Sequence, residues 1–181
     1  MLGGSGSTWC AVRSPHDFYP TPVWCVHRLL DRVRLPGRRW LDPCAGDGAI
    51  VRAVPDRDWV TNDIRPGCDI ESDWLETWES FEGFDCILTN PPFSLAFEFV
   101  QRAVQLAPTC MLLRQGFLAS ANRQPWLREN TPDVFVLPNR PDFTGGGGDS
   151  SDYVWCYWHG QQEARFEVLD LTPLEMRRPE C

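Results

Sequence analysis

A chain of 181 residues with 43% hydrophobic and 23% charged residues has material for one well-buried domain and too little for two ordinary ones. No apolar run approaches the roughly 18 residues that span a membrane, and the opening Met-Leu-Gly-Gly-Ser-Gly-Ser lacks the basic start and apolar stretch of a signal peptide, so a cytoplasmic chain is expected. A net charge of −8 argues against a broad nucleic-acid footprint but leaves room for a local one, because all 17 basic residues are arginine, which suits bidentate phosphate contacts.

Residues 1–8 are rich in glycine and serine and are read as a flexible tail, residues 9–172 as one domain, and residues 173–181 as a short polar tail. From Val23 to Arg34, apolar residues at Val23, Val26, Leu29, Leu30 and Val33 follow helical spacing, and Pro36-Gly37 supplies the stop. β-like runs then recur at Arg39–Asp42, Trp59–Asn62, Phe84–Thr89, Cys110–Arg114, Val134–Pro138 and Tyr153–Trp158. After Thr89, Ser94 is placed to cap a helix whose Leu95, Phe99, Val100, Ala103 and Val104 form an apolar stripe, with Pro108 ending it. This alternation predicts an α/β fold, a mostly parallel sheet flanked by helices. The eight cysteines are scattered with no Cys-x-x-Cys pair and read as packed thiols, and no metal is expected. Cys156 and His159 come nearest to ligand spacing, but their odd separation puts them on opposite faces of a strand.

In open α/β sheets ligands bind beyond the carboxyl ends of the strands, near the point where strand order reverses. Asp42-Pro43-Cys44-Ala45-Gly46-Asp47-Gly48 follows the first run, a carboxylate and then a glycine turn through which backbone can approach a ligand closely. Position 51 is valine, so the Gly-x-Gly-x-x-Gly pattern is incomplete. That disfavours a pyrophosphate, and an acidic glycine loop suits a cationic ligand without phosphate. Asp63 stands where a carboxylate can accept from both hydroxyls of a ribose. Asp73-Trp74 offers an acid and a large ring for an adenine, with a helix N-cap at Asp73 as the plainer alternative.

Asn90-Pro91-Pro92-Phe93 is the most specific signal. Two prolines after an apolar strand remove two backbone donors and fix the chain, leaving carbonyls free to accept. An amine conjugated to a ring is a poor nucleophile because its lone pair is delocalised. If the Asn90 side-chain oxygen and the Pro91 carbonyl each accept one amino hydrogen, that lone pair is localised and directed at an electrophile. Phe93 is suited to stack on the ring that bears the amine.

With this tetrapeptide after an acidic glycine loop, the chain resembles the amino-group methyltransferases of class I, and in particular the small DNA adenine-N6 methyltransferases of phages and prophages. The resemblance spans roughly residues 17–160 and includes Tyr19-Pro20-Thr21-Pro22 ahead of the first helix. It implies a Rossmann-like, mostly parallel seven-stranded sheet with an antiparallel last strand and helices on both faces, with S-adenosylmethionine as cofactor. It further implies cofactor contacts from Tyr19, Thr21, Asp42, Cys44, Gly46, Asp63, Asp73 and Trp74, and catalytic contacts to a flipped adenine from Asn90, Pro91, Pro92 and Phe93. Phe143, in Arg140-Pro141-Asp142-Phe143, is similar in position to an aromatic residue that packs against that base. Arg114, Arg123, Arg128 and Arg140 are read as a basic rim for DNA phosphates, and Gly145–Gly148 as a lip beside it. Between Gln115 and Arg140 there is no room for the extra recognition region of sequence-specific relatives, so any sequence preference comes from short loops. The same tetrapeptide suits RNA purines or a protein glutamine side chain, and a non-catalytic cofactor-binding subunit is the reading from a different class.

Overall fold

A computed structural model describes residues 19–143, 150–160 and 163–177. Its first helix, α1 (Val23–Leu30), stops short of the expected Arg34. The backbone N–H groups of Arg32 and Val33 both turn back onto the Leu29 carbonyl, and the chain leaves the helix so that Val33 and Leu35 can be buried. The remaining elements are β1 (Arg39–Asp42), α2 (Ala49–Ala53), β2 (Asp58–Asp63), β3 (Ile70–Glu71), α3 (Trp74–Thr77), β4 (Cys86–Thr89), α4 (Ala96–Leu106), β5 (Thr109–Arg114), α5 (Gln124–Glu129), β6 (Asp133–Val136), β7 (Tyr153–Trp158) and β8 (Phe166–Val168).

The strands form one sheet in the order β3-β2-β1-β4-β5-β7-β6-β8. Only β7 runs against its neighbours, between β5 and β6. The sheet has an eighth strand beyond the expected seven, with β8 pairing parallel to β6 at the edge. Its three residues are half or more exposed at Phe166 and Val168, so they carry no buried alternation to read in sequence. Ser94 does not cap α4. The Pro92 carbonyl takes the Leu95 N–H in a turn, which postpones the helix to Ala96 and makes Leu95 the N-cap without a side-chain bond.

Both faces of the central strands are apolar, as a sheet covered on two sides requires. Trp40, Cys86, Leu88, Cys110, Leu112, Trp155 and Tyr157 alternate onto one face with Trp24, Cys25, Val26 and Leu29 of α1. Leu41, Ile87, Met111, Leu113, Val154 and Cys156 face the other way, onto Phe99, Val100 and Ala103 of α4. Cys25, Cys86, Cys110 and Cys156 are buried and unpaired, filling this core as small apolar groups. Among the described residues no helix is long and apolar enough to cross a membrane. The order reverses between β1 and β4, so the turns after Asp42 and Thr89 meet at the switch point.

Candidate active site

The carboxyl ends of β1, β2 and β4 open onto a cavity of about 380 Å³, within the range of small-molecule sites. Its walls include Tyr19, Thr21, Asp42, Cys44, Gly46, Asp63, Asp73, Trp74, Asn90 and Pro92, which the sequence assigned to one site from five separate segments. Gly46 sits at φ 63°, the left-handed region that a side chain disfavours. Its N–H is held by Asp63 Oδ2 at 2.8 Å, which bends the loop toward β2.

Asp42 ends β1 almost fully buried, with its Oδ1 accepting from the Thr89 hydroxyl at 2.7 Å and the Cys44 N–H at 3.3 Å. Burial pushes its carboxyl up to about 7, against the pull of these hydrogen bonds. The Thr89 hydroxyl has given its only hydrogen to Asp42, so the Cys44 thiol 2.9 Å away is the donor in that contact. Burial holds the thiol well above its usual range, and Cys44 is a neutral wall rather than a nucleophile. Asp63 is already engaged. Besides Gly46 it accepts from the Arg65 backbone N–H at 2.9 Å and Nε at 3.1 Å, so at most one of its lone pairs is left for a ligand hydroxyl.

Two expectations for the next turn separate. Asp73 is the N-cap of α3, with Oδ1 accepting from Leu75 N at 3.0 Å, and it also lines the cavity. Trp74 does not cover the opening. It is 2% exposed and stacked on Phe99 at 5.2 Å, so it forms the cavity's back wall, because α3 turns its ring inward onto the sheet.

Asn90 leaves β4 beside the N-terminal segment. Its Nδ2 donates to the Tyr19 carbonyl and to the Thr21 hydroxyl, each at 3.0 Å. Its Oδ1 is buried and accepts from no group among the described residues. An uncompensated buried acceptor costs about 1–3 kcal/mol, so this amide is held in a posture that invites a donor. Pro91 is buried behind it and Pro92 borders the cavity. Phe93 belongs to a ring cluster with Tyr19 (5.6 Å, stacked), Tyr153 (5.5 Å) and Phe143 (6.3 Å). Phe143 thus lies beside Phe93.

The expected arginine rim is dispersed. Arg114 is turned inward, its guanidinium carbon 4.7 Å from the Phe93 ring centre and its Nε 3.4 Å from the Tyr153 hydroxyl. Arg123 donates to the Phe117 and Gly116 carbonyls and so pins its own loop. Arg128 is exposed in the last turn of α5. Arg140 pairs with Asp152 at 2.8 Å on the surface. The Gly145–Gly148 lip and the tail over residues 1–8 lie outside the described residues.

Four participants escaped the sequence reading. Asn62, 1% exposed, ties the site together by donating to the Pro43 and Ser72 carbonyls and accepting from the Ser72 hydroxyl. Thr89 supports Asp42, and Tyr153 is the buried wall behind Phe93; both sit inside apolar runs, where a polar atom carries no visible mark. Ile64, directly after Asp63, keeps 62% of its surface exposed at the cavity mouth, and an apolar side chain there gains by covering a flat ring. Its position after a strand-terminal acid is a signal that could have been read.

The net charge has a single seat. Asp69, Glu71, Asp73, Glu76, Glu79, Glu82, Asp85 and Glu98 lie between residues 66 and 101 without one arginine, so this stretch alone carries −8 and the rest of the chain is neutral. All eight are exposed. Six of them, from Asp69 to Glu82, flank β3 and α3, while Asp85 precedes β4 and Glu98 lies on α4.

No family model matches the chain, and no curated protein matches it in sequence. Solved structures do match in fold. A modification subunit ascribed to a type I restriction enzyme from Vibrio vulnificus YJ016 superposes with a TM-score of 0.57 at 16% identity, over 82% of this chain and 45% of that one. The 23S rRNA methyltransferase ErmE gives 0.56 at 12% identity, over 81% and 71%. A dimethyladenosine transferase from Plasmodium falciparum gives 0.54 at 15% identity, over 78% and 62%. The chain therefore has the methyltransferase fold, and it spans less than half of the first of these proteins.

Proposed function

We propose that the chain is an S-adenosylmethionine-dependent methyltransferase acting on a conjugated exocyclic amine, N6 of adenine in DNA. The observation that carries this reading is the Asn90 amide, whose nitrogen is satisfied by the chain and whose oxygen meets no donor among the described residues. The residues present fit the cofactor. The cavity has the size of a small-molecule site, two buried acids at its strand ends, a glycine turn and an exposed Ile64 at its mouth, a set suited to a cationic nucleoside. Asp42 and Asp63 would hold its charged and hydroxyl-bearing parts, Thr21 and Tyr19 its far end, and Ile64 its ring. Once bound, S-adenosylmethionine supplies an electrophilic methyl group on a sulfonium.

The chain's own part is orientation. Asn90 Oδ1 and the Pro91 carbonyl accept the two amino hydrogens, so the nitrogen lone pair is directed at the methyl carbon. Methyl transfer to that nitrogen would leave it with one proton too many. Asn90 cannot take a proton, so the surplus one leaves to water after transfer. A flipped base reaches Asn90 by parting the Tyr19–Phe93 stack and replacing it with its own ring. The charge distribution supports a nucleic acid that keeps clear of β3 and α3, because the acids from Asp69 to Glu82 repel phosphates there.

The test is to incubate the protein with methyl-labelled cofactor and separate pools of DNA, RNA and protein, and to identify the labelled product. N6-methyladenine from DNA is the expected result. Label in an RNA nucleoside would move the reading to RNA, in line with the rRNA methyltransferase among the matching structures, and label in glutamine would move it to protein.

A further inference from the structure

We infer that Thr21 is a positioning residue: with the Tyr19 carbonyl it clamps the Asn90 amide so that only its oxygen is left to meet the substrate amine. The inference rests on the amine reading above and adds how that oxygen is kept in place.

A carboxamide presents two nearly isosteric ends, and a flipped Asn90 would offer N–H groups, which repel an amine's hydrogens. The orientation is therefore a chemical choice. Two contacts make it. The Tyr19 carbonyl can only accept, so it demands the nitrogen end. The Thr21 hydroxyl accepts the second Nδ2 hydrogen, and its own hydrogen remains to be donated. Both Nδ2 hydrogens are thereby used, and among the described residues Oδ1 meets no donor.

The clamp is stiff on both sides. Thr21 is 4% exposed and lies between Pro20 and Pro22, while Asn90 precedes Pro91 and Pro92, so the prolines flanking both residues fix φ on either side of the contact and leave the chain little room to relax. Thr21 also lines the cofactor cavity, so one hydroxyl borders both halves of the site.

Thr21→Val keeps the shape and removes the hydroxyl, and Thr21→Ser restores it. The first readout is independent of turnover. In nitrogen-15 spectra of the whole protein, both Asn90 side-chain amide hydrogens are expected to exchange slowly in the wild type and in Thr21→Ser, and at least one to exchange rapidly in Thr21→Val. The second is catalytic. At saturating cofactor, Thr21→Val is expected to lower kcat about tenfold, and Thr21→Ser to recover most of it. Solvent-rate exchange of the Asn90 amide in the wild type, or wild-type kcat in Thr21→Val, overturns the inference. A protected amide in a protein that methylates no nitrogen leaves the clamp standing and removes the amine reading instead.

Discussion

The two ends of the sheet treat their polar groups in opposite ways. At the amino end, Asp85 Oδ2 accepts from the backbone N–H groups of Arg38 and Arg39 at 2.7 and 2.9 Å. Asp133 accepts from the Arg165 N–H at 2.7 Å and lies 3.0 Å from His159 Nε2. Both acids are held by the chain, and Asp85 also reaches solvent, so neither waits on a ligand. At the carboxyl end, Asn90 keeps a buried oxygen that meets no donor among the described residues, and Asp42 is held protonated up to about pH 7 by burial. Polar groups completed by the fold hold the fold; those left incomplete in a cavity await a ligand.

The sharpest way to break this comparison is Asn90→Ala. If Asn90 Oδ1 orients the amine, the substitution lowers methyl transfer at least about a hundredfold, while cofactor affinity stays within a few-fold. Single-turnover transfer with labelled cofactor measures the first and equilibrium binding the second. Undiminished transfer would make the orphaned oxygen an ordinary packing defect.

Asp42 adds a dependence on pH. Its carboxyl is raised from 3.8 to about 7, so between those values the folded protein holds a proton that the unfolded chain has released. Its contribution to stability is therefore full below about pH 4 and is lost as pH rises to 7, by a few kcal/mol. Denaturant unfolding between pH 5 and 8 should show this slope, and Asp42→Asn should flatten it. Cofactor affinity should run the other way, rising through pH 7 because a cation prefers ionised Asp42. A cofactor affinity flat across that range would separate Asp42 from the ligand's charge.

How far all this could be read from sequence follows the same division. β1 and β7 match the expected runs residue for residue, β7 because all six of its residues are buried and β1 because Trp40 and Leu41 stand out between charged Arg39 and Asp42. Exposed β8 left none. The tetrapeptide and glycine loop were legible because proline and glycine act through backbone geometry, which a sequence states outright. Asn62 and Thr89 were not, since their roles depend on partners brought together only by the sheet. The inward turn of Trp74 and Arg114 was invisible for a related reason: residue type does not say which side of a turn a side chain takes.

Gly37 probes the amino end. At φ 61°, a Cβ there would lie 2.2 Å from the Asp85 Cβ, so Gly37→Ala combines an unfavourable conformation with a collision. It should cost about 2–4 kcal/mol in urea unfolding. The kcat of the protein that remains folded should match wild type, as expected for an end of the sheet that only builds structure. A comparable loss of kcat would mean that the two ends are coupled.

The smallest effects compare two arginines that sequence placed on one rim. Arg114 lies over Phe93, whereas Arg140 pairs with Asp152 with about half of each side chain in water. Exposed pairs are worth about 0–1 kcal/mol. Arg140→Ala should therefore change affinity for a short adenine-containing oligonucleotide by less than about twofold. Arg114→Ala should weaken it about fivefold, because the guanidinium that leaves Phe93 when a base stacks there is freed to meet a phosphate beside it. Its removal should also shallow the dependence of affinity on salt by about one phosphate contact. If Arg140 carries the larger effect, the nucleic acid lies along the Asp152 edge and the ring cluster is not its point of entry.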